Sequence, residues 1–300
     1  MKNILIIGAN GFTGRQLLND LSSQTIYNVT GCSLHSDILP NTSSANYHFI
    51  EADIRDKSVI TELFKTMQYD TVINCSALSV PDYCEIHHEE AEQTNISAVE
   101  QIAHLCQTHA SRLIHLSTDF VFDGKSGELY TEEAVPSPVN YYGYTKWKGE
   151  EKVAEICSSY AIVRVAIVYG KALPGQHGNI VQLVMNKLNA GQEIRVVSDQ
   201  WRTPAYVGDV SHGVQRLIEK PLNGIFHICG SQCVTIAEVA YLVADLMKRD
   251  RSLILPVTTT EMKEATPRPR FSGMSIEKAR QELGYVPLSL KQGIKETLGI

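Results

Sequence analysis

Two tyrosine–lysine pairs overlap in the stretch Pro138-Val139-Asn140-Tyr141-Tyr142-Gly143-Tyr144-Thr145-Lys146-Trp147-Lys148. On a helix, a Tyr four residues before a Lys places both side chains on one face. An ammonium there stabilises a phenolate, and a phenol that is poorly acidic alone becomes a usable proton donor and acceptor. Tyr142 pairs with Lys146, and Tyr144 with Lys148. The registers are two residues apart, about 200° around a helix, and so face nearly opposite ways. Lys148, Glu151 and Lys152 read as a solvated face, which leaves Tyr142 and Lys146 as the expected proton-transfer pair. Ser117-Thr118-Asp119 closes an apolar run upstream. Alone it reads as a turn before Val121-Phe122-Asp123-Gly124; beside the Tyr–Lys helix, the Thr118 hydroxyl is expected to share a substrate carbonyl with Tyr142.

Carbonyl chemistry also needs an electron source. Gly8-Ala9-Asn10-Gly11-Phe12-Thr13-Gly14 follows an apolar run and opens a helical pattern. Glycines at 8, 11 and 14 permit a tight turn and close approach of a pyrophosphate. The helix start, with Asn10, Phe12 and Thr13 on its loop, offers free amides and a positive dipole end. The spacing departs from the Gly-x-Gly-x-x-Gly of the long-chain dehydrogenases. At the end of the second strand an acidic residue would grip the ribose of NAD, and an Arg the 2′-phosphate of NADP. Ser33, Leu34 and His35 are neither. With no carboxylate to repel a phosphate, NADP is slightly favoured over NAD. Asp53, followed by Ile54, comes after the third strand, where it either contacts the adenine amino group or caps the helix before Lys57.

The elements that must position these groups alternate. Strands are expected at 3–7, 28–33, 47–50, 71–75, 112–117 and 161–168, with helices at 13–21, 59–67, 91–109 and 142–157. Continuous apolar strands separated by helices indicate a parallel sheet covered on both faces. Beyond residue 170 the spacing predicts helices at 179–189, 210–219, 235–248, 275–283 and 290–298, strands at 194–197 and 225–229, and a loop at 253–269. The expected division is a nucleotide-binding part at 1–170, to which 205–230 returns, and a smaller α/β substrate lobe within 171–300.

The 300 residues carry a net charge of −6 and no basic run, which argues against nucleic acid and anionic membrane as partners. The first apolar run stops at Gly8, too short for a secretory signal core, and nothing approaches a membrane span. Seven scattered cysteines read as buried free thiols of a reducing compartment, so a cytoplasmic setting is expected. The ten histidines show no metal-ligand spacing, so no metal is expected. No Gly-x-Ser-x-Gly elbow suggests a hydrolase.

The chain resembles the extended short-chain dehydrogenase/reductase family, and within it the dTDP-4-dehydrorhamnose reductases. The resemblance rests on GANGFTG at 8–14, NCSALSVPDYCE at 74–85, STDFVFDG at 117–124, YYGYTKWKGE at 141–150, DQWRTPAYVGDV at 199–210 and RPRFSGMSIEKARQELGYVP at 268–287. It implies a Rossmann-type doubly wound sheet with a C-terminal sugar-nucleotide lobe. Tyr142 becomes the proton donor, Lys146 a partner of the nicotinamide ribose and of the Tyr142 phenol, and Thr118 the third catalytic member. Cys75, Ser76 and Ala77 would line the cofactor, with Asn95 in support. Ser79, Asp119, Phe120 and Ile167 fall on the substrate side, and Gln200, Arg202 and Arg268 become partners for the substrate's nucleotide and diphosphate.

Two departures refine this. The related 4,6-dehydratases carry Asp-Glu after the Thr to remove water; here Phe120 follows Asp119, which favours simple carbonyl reduction. Where the rhamnose reductases usually carry a Trp, this chain has Ile167, so the sugar stays open. Two alternatives keep the same residues: a binding subunit like the regulatory subunit of methionine adenosyltransferase, and a sugar-nucleotide epimerase. Homodimers are common in the family, which makes a homodimer an expectation of the resemblance alone.

Overall fold

The computed structural model describes residues 1–38, 46–176 and 178–300. Strand β1 (Lys2–Ile7) sends Ile4 and Ile6 into one hydrophobic cluster, and Leu5 and Ile7 into another on the opposite face. A strand apolar on both faces belongs at the centre of a covered sheet. It is joined by β2 (Tyr27–Ser33), β3 (Tyr47–Glu51), β4 (Thr71–Asn74), β5 (Arg112–Thr118), β6 (Tyr160–Val165) and the late strand Gly224–His227. These form a seven-stranded sheet in the order Gly224–His227, β6, β5, β4, β1, β2, β3. All of its neighbouring pairs are parallel. The order reverses between β1 and β4, so the chain leaves these two strands in opposite directions and opens a crevice at their carboxyl ends.

Helices cover both faces. Leu17, Leu18 and Leu21 of α1 (Phe12–Ser22) pack with Val210, Val214 and Leu217 of the helix Val207–Glu219 on one side. On the other, Ile60, Leu63 and Phe64 of α2 (Lys57–Thr66) meet Val99, Ile102 and Ala103 of the helix Ala98–Thr108. A third cluster lies in the C-terminal part. It joins the helices Ile180–Asn189 and Ile236–Met247 to the parallel strands Ile194–Val197 and Ile254–Val257. Thr235 and Glu238 close a capping box on the second of these helices.

Three segments differ from the sequence expectation. The helix expected at 91–109 is interrupted: His88–Glu92 passes through a π-helical turn, Gln93–Ser97, before Ala98–Thr108. Such a turn holds an extra residue, and here it turns Asn95 inward. The strand expected at 161–168 stops at Val165. Ile167 takes φ +35°, and Val168–Tyr169 then pairs with Ala205–Tyr206 instead. Most of the loop expected at 253–269 is ordered, with the strand Ile254–Val257 and a helical turn Thr259–Met262 capped by Thr258. Pro256 masked this strand, yet a proline is tolerated on an edge, and among the described residues only Ile194–Val197 pairs with it.

Candidate active site

A cleft of about 830 Å³ opens at the carboxyl ends of β1 and β4. Its floor is the glycine loop. Gly11 precedes α1 without any side-chain cap, so the first amides of the helix stay available to an anion. A Cβ on Gly14 would lie 2.2 Å from the Gly8 carbonyl oxygen, so only glycine lets the loop fold this close to the helix. Asn10 bridges the loop to the next strand, donating to the carbonyls of His35 and Ser36 at 3.0 and 2.9 Å. Gln176, a residue sequence reasoning passed over, donates to the carbonyls of Asn10 and Gly11 at 3.0 and 3.2 Å and lines the same cleft. These donors and this cradle fit a dinucleotide pyrophosphate.

Thr118, Tyr142 and Lys146 all reach the cleft. Asn140 caps the helix Tyr141–Ile156, accepting from the Gly143 amide at 2.8 Å. A Cβ at Gly143 would meet the Phe120 carbonyl at 2.1 Å, so this glycine lets the first turn press against the end of β5. Thr118 accepts from the Phe120 amide at 3.2 Å, which makes it both the start of a turn and a cleft hydroxyl. The opposite register is confirmed as the outer one: Tyr144 is exposed, and Lys148 pairs with Glu151 at 2.7 Å.

The electrostatics differ from the simple Tyr–Lys picture. Tyr142 shows part of its surface to the cleft, but its phenol lies deep. Burial raises its pKa, against a lowering hydrogen bond from Thr118, while the Asp119 carboxylate raises it further. Lys146, fully enclosed, donates to the Leu116 carbonyl at 2.8 Å instead of reaching the phenol. Burial lowers its pKa to about 8, with Glu150 and Cys75 pulling the other way. Tyr142 is therefore a protonated phenol at neutral pH, and it holds that proton more firmly than a free phenol does.

Behind these groups lies polar structure that sequence reasoning missed. His115 and Asn74 are fully buried and adjacent in the β4–β5 register. The signal was available, since each interrupts or ends an apolar run: Asn74 follows Val72 and Ile73, and His115 stands between Ile114 and Leu116. Asn95, expected as a support, braces the turn after β4: its Oδ1 accepts from the Leu78 amide at 2.9 Å, and its Nδ2 donates to the Leu78 carbonyl and to Thr145, both at 3.0 Å.

The other expected residues divide. Ser33, Ile54, Cys75, Ser76, Ala77, Ser79, Asp119, Phe120, Ile167 and Arg268 line the cleft. Asp53 lines it too, but Arg55 holds its carboxylate at 2.7 Å and lowers its pKa. The cap of α2 is Asp56 rather than Asp53. His35 contributes only its carbonyl, and its side chain is not in the lining. Gln200 and Arg202 lie outside the lining as well. Arg202 is 1% exposed, donates to the Pro269 carbonyl at 2.7 Å and approaches Asp119 at 3.4 Å. Its guanidinium sits behind the cleft wall, committed to Asp119 and to backbone carbonyls. Among the described residues, no group of three or more His, Cys, Asp or Glu could hold a metal ion, and no helix is long and apolar enough to cross a membrane.

A doubly wound parallel sheet with a glycine loop, a strand-end threonine and a Tyr–Lys helix at its switch point defines the extended class of short-chain NAD(P)-dependent oxidoreductases. The chain belongs to the family described as RmlD substrate binding domain, which matches residues 1–299. It is 31% identical over 282 residues to the probable low-salt glycan biosynthesis reductase Agl14 of Haloferax volcanii, covering 93% of this chain and 91% of that one. It is 28% identical over 303 residues to methionine adenosyltransferase 2 subunit beta of Mus musculus, covering 99% and 87%. Among solved structures, dTDP-4-dehydrorhamnose reductase from Bacillus anthracis in complex with NADP superimposes with a TM-score of 0.86, at 27% identity over 99% of each chain.

Proposed function

We propose that this protein reduces the carbonyl of a 4-keto-6-deoxy sugar nucleotide, with NADPH slightly preferred over NADH. The observation that carries the reading is the convergence of Thr118, Tyr142 and Lys146 on the cleft that holds the glycine loop, with apolar Phe120 beside Asp119. Residues 8–14 would hold the pyrophosphate of a nicotinamide dinucleotide and residues 75–77 would line it; when bound, that group would supply the hydride. Tyr142 gives its phenolic proton to the carbonyl oxygen, and the Thr118 hydroxyl orients that oxygen. Lys146 would order the ribose of the bound cofactor. Without a carboxylate at 120, nothing next to Asp119 is placed to abstract a proton for dehydration. Arg268 is the cleft arginine for the substrate's diphosphate. On this reading residues 1–170 with 205–230 hold the cofactor and the rest of 171–300 holds the sugar nucleotide. The similarity to the Bacillus anthracis reductase, solved with NADP, supports both the substrate class and the cofactor.

The test is NADPH and NADH oxidation against a panel of 4-keto-6-deoxy sugar nucleotides. Turnover of one or more, faster with NADPH, is expected. A second reading, a cofactor-binding regulatory subunit, draws on the similarity to methionine adenosyltransferase 2 subunit beta. No oxidation with any member of the panel, together with capture of a methionine adenosyltransferase by the folded protein, would replace the first reading with the second.

A further inference from the structure

Between β4, β5 and the helix Tyr141–Ile156, four side chains form a line, two of which, Asn74 and His115, the reading above leaves unused. The Ser76 hydroxyl and amide both donate to Asn74 Oδ1, at 2.6 and 3.1 Å. The oxygen end of that amide is thereby fixed, and its Nδ2 lies 3.2 Å from His115 Nδ1. An amide nitrogen only donates, so Nδ1 must accept. The single proton of the neutral imidazole then sits on Nε2, which lies 3.4 Å from Lys146 Nζ.

An N–H facing an ammonium is two donors with no acceptor between them. The same N–H facing an amine makes a hydrogen bond, while that amine still donates to the Leu116 carbonyl at 2.8 Å. We propose that His115 is a positioning residue for Lys146: the tautomer that Asn74 imposes on it turns an N–H toward Nζ and favours the neutral amine over the ammonium there. The line ends at Ser76 in the cleft wall, on the cofactor side.

Other titratable groups also face Lys146. Tyr142 and Glu150 share its helix, and Cys75 follows β4. Glu150 would favour the ammonium, but Arg164 of β6 binds it at 2.9 and 2.6 Å and offsets its charge. Cys75, whose thiol burial pushes up to about 12, stays neutral. The low pKa of Lys146, about 8, agrees with this balance, and burial keeps His115 uncharged.

The inference uses the proposed function only for the role of Lys146, and its test needs no substrate. The full chain, labelled with 15N-histidine and lysine 13Cε, is titrated by NMR with and without NADPH, using Lys146→Arg to assign the lysine signal. In the wild type, His115 should be protonated at Nε2 and unprotonated at Nδ1. Asn74→Asp presents an acceptor to Nδ1, so it should move the proton to Nδ1 and raise the Lys146 midpoint by about one pH unit. His115→Gln, which offers an oxygen to the ammonium, should shift it the same way. A wild-type His115 protonated on Nδ1, or a Lys146 midpoint unmoved in both variants, overturns the proposal. Should Asn74→Asp not fold, the wild-type tautomer and His115→Gln still decide. A failed sugar panel would leave these titrations as they are, so the two ideas fail separately.

Discussion

The wall of the cleft that carries the glycine loop and the wall that carries Ile167 and Arg268 are assembled from different kinds of segment. Residues 8–14, 33–34, 53–55 and 75–77 follow the carboxyl ends of β1, β2, β3 and β4, neighbours locked by parallel pairing. Their positions follow from strand register. Ile167, Gln176 and Arg268 come from separate returns of the chain, one of them through a backbone break at φ +35°. Only glycine, Asn and Asp visit such φ values readily, so an Ile held there is strained against its own preference. A wall built on register tolerates little change in its backbone, whereas a wall built from returning segments can change its side chains while the sheet stays intact.

Substitutions across the two walls should rank accordingly. Tyr142→Phe removes the proposed proton donor where the walls meet, and turnover should fall by about 10²–10⁴-fold with NADPH affinity changed only several-fold. Retained turnover would break the assignment outright. Arg202→Met should separate the two arginines expected at the substrate. With Asp119 left buried and unpaired, unfolding free energy should drop by about 3–5 kcal/mol in denaturant titrations. A stable Arg202→Met with weakened substrate binding would return Arg202 to the cleft. Gly14→Ala forces a Cβ against the Gly8 carbonyl, and calorimetry should show NADPH affinity lower by about 100-fold, a loss of about 2.7 kcal/mol.

Lys146→Met tests the cost of burying a lysine. The folded pKa, about 8, lies below the unfolded one, 10.5. Below about pH 8 both states carry the proton, and the folded protein bears the full desolvation penalty. Between the two values the unfolded chain binds more protons, so wild-type stability rises with pH. The variant should therefore be more stable than wild type at neutral pH by about 2 kcal/mol, with the gap closing as pH rises past about 8. A gap that widens with pH would mean that Lys146 gains, rather than loses, by being charged in the fold. Arg268→Ala should have the smallest effect, raising the substrate KM by about tenfold with NADPH affinity and melting temperature nearly unchanged.

The same division explains what could be read in advance. The sheet, the glycine loop and the choice of Tyr142 over Tyr144 follow from local periodicity and helical geometry. Arg202 and Arg268 look alike in sequence, but one ends behind Asp119 and the other in the cleft, and only the packing of residues 267–272 against 199–203 separates them. The upward shift of the Tyr142 phenol was hidden for a similar reason. Neighbour spacing announces charge pairs, while desolvation depends on everything that closes around the site. His115 lay between the two cases, a polar residue between Ile114 and Leu116 that invited a question without answering it.

The π-helical turn at Gln93–Ser97 has a consequence for insertions and deletions. Removing one residue from it would let the backbone recover regular α-helical bonding, so the deletion would be mended locally. The residues on either side would keep their places, and only the side chains within the turn would be re-aimed, by about 100° per residue. Asn95 would leave both Leu78 and Thr145, and the segment facing the cofactor would lose its brace. In an alignment of relatives, a gap at this point would mark a looser cofactor wall even where every residue named above is unchanged.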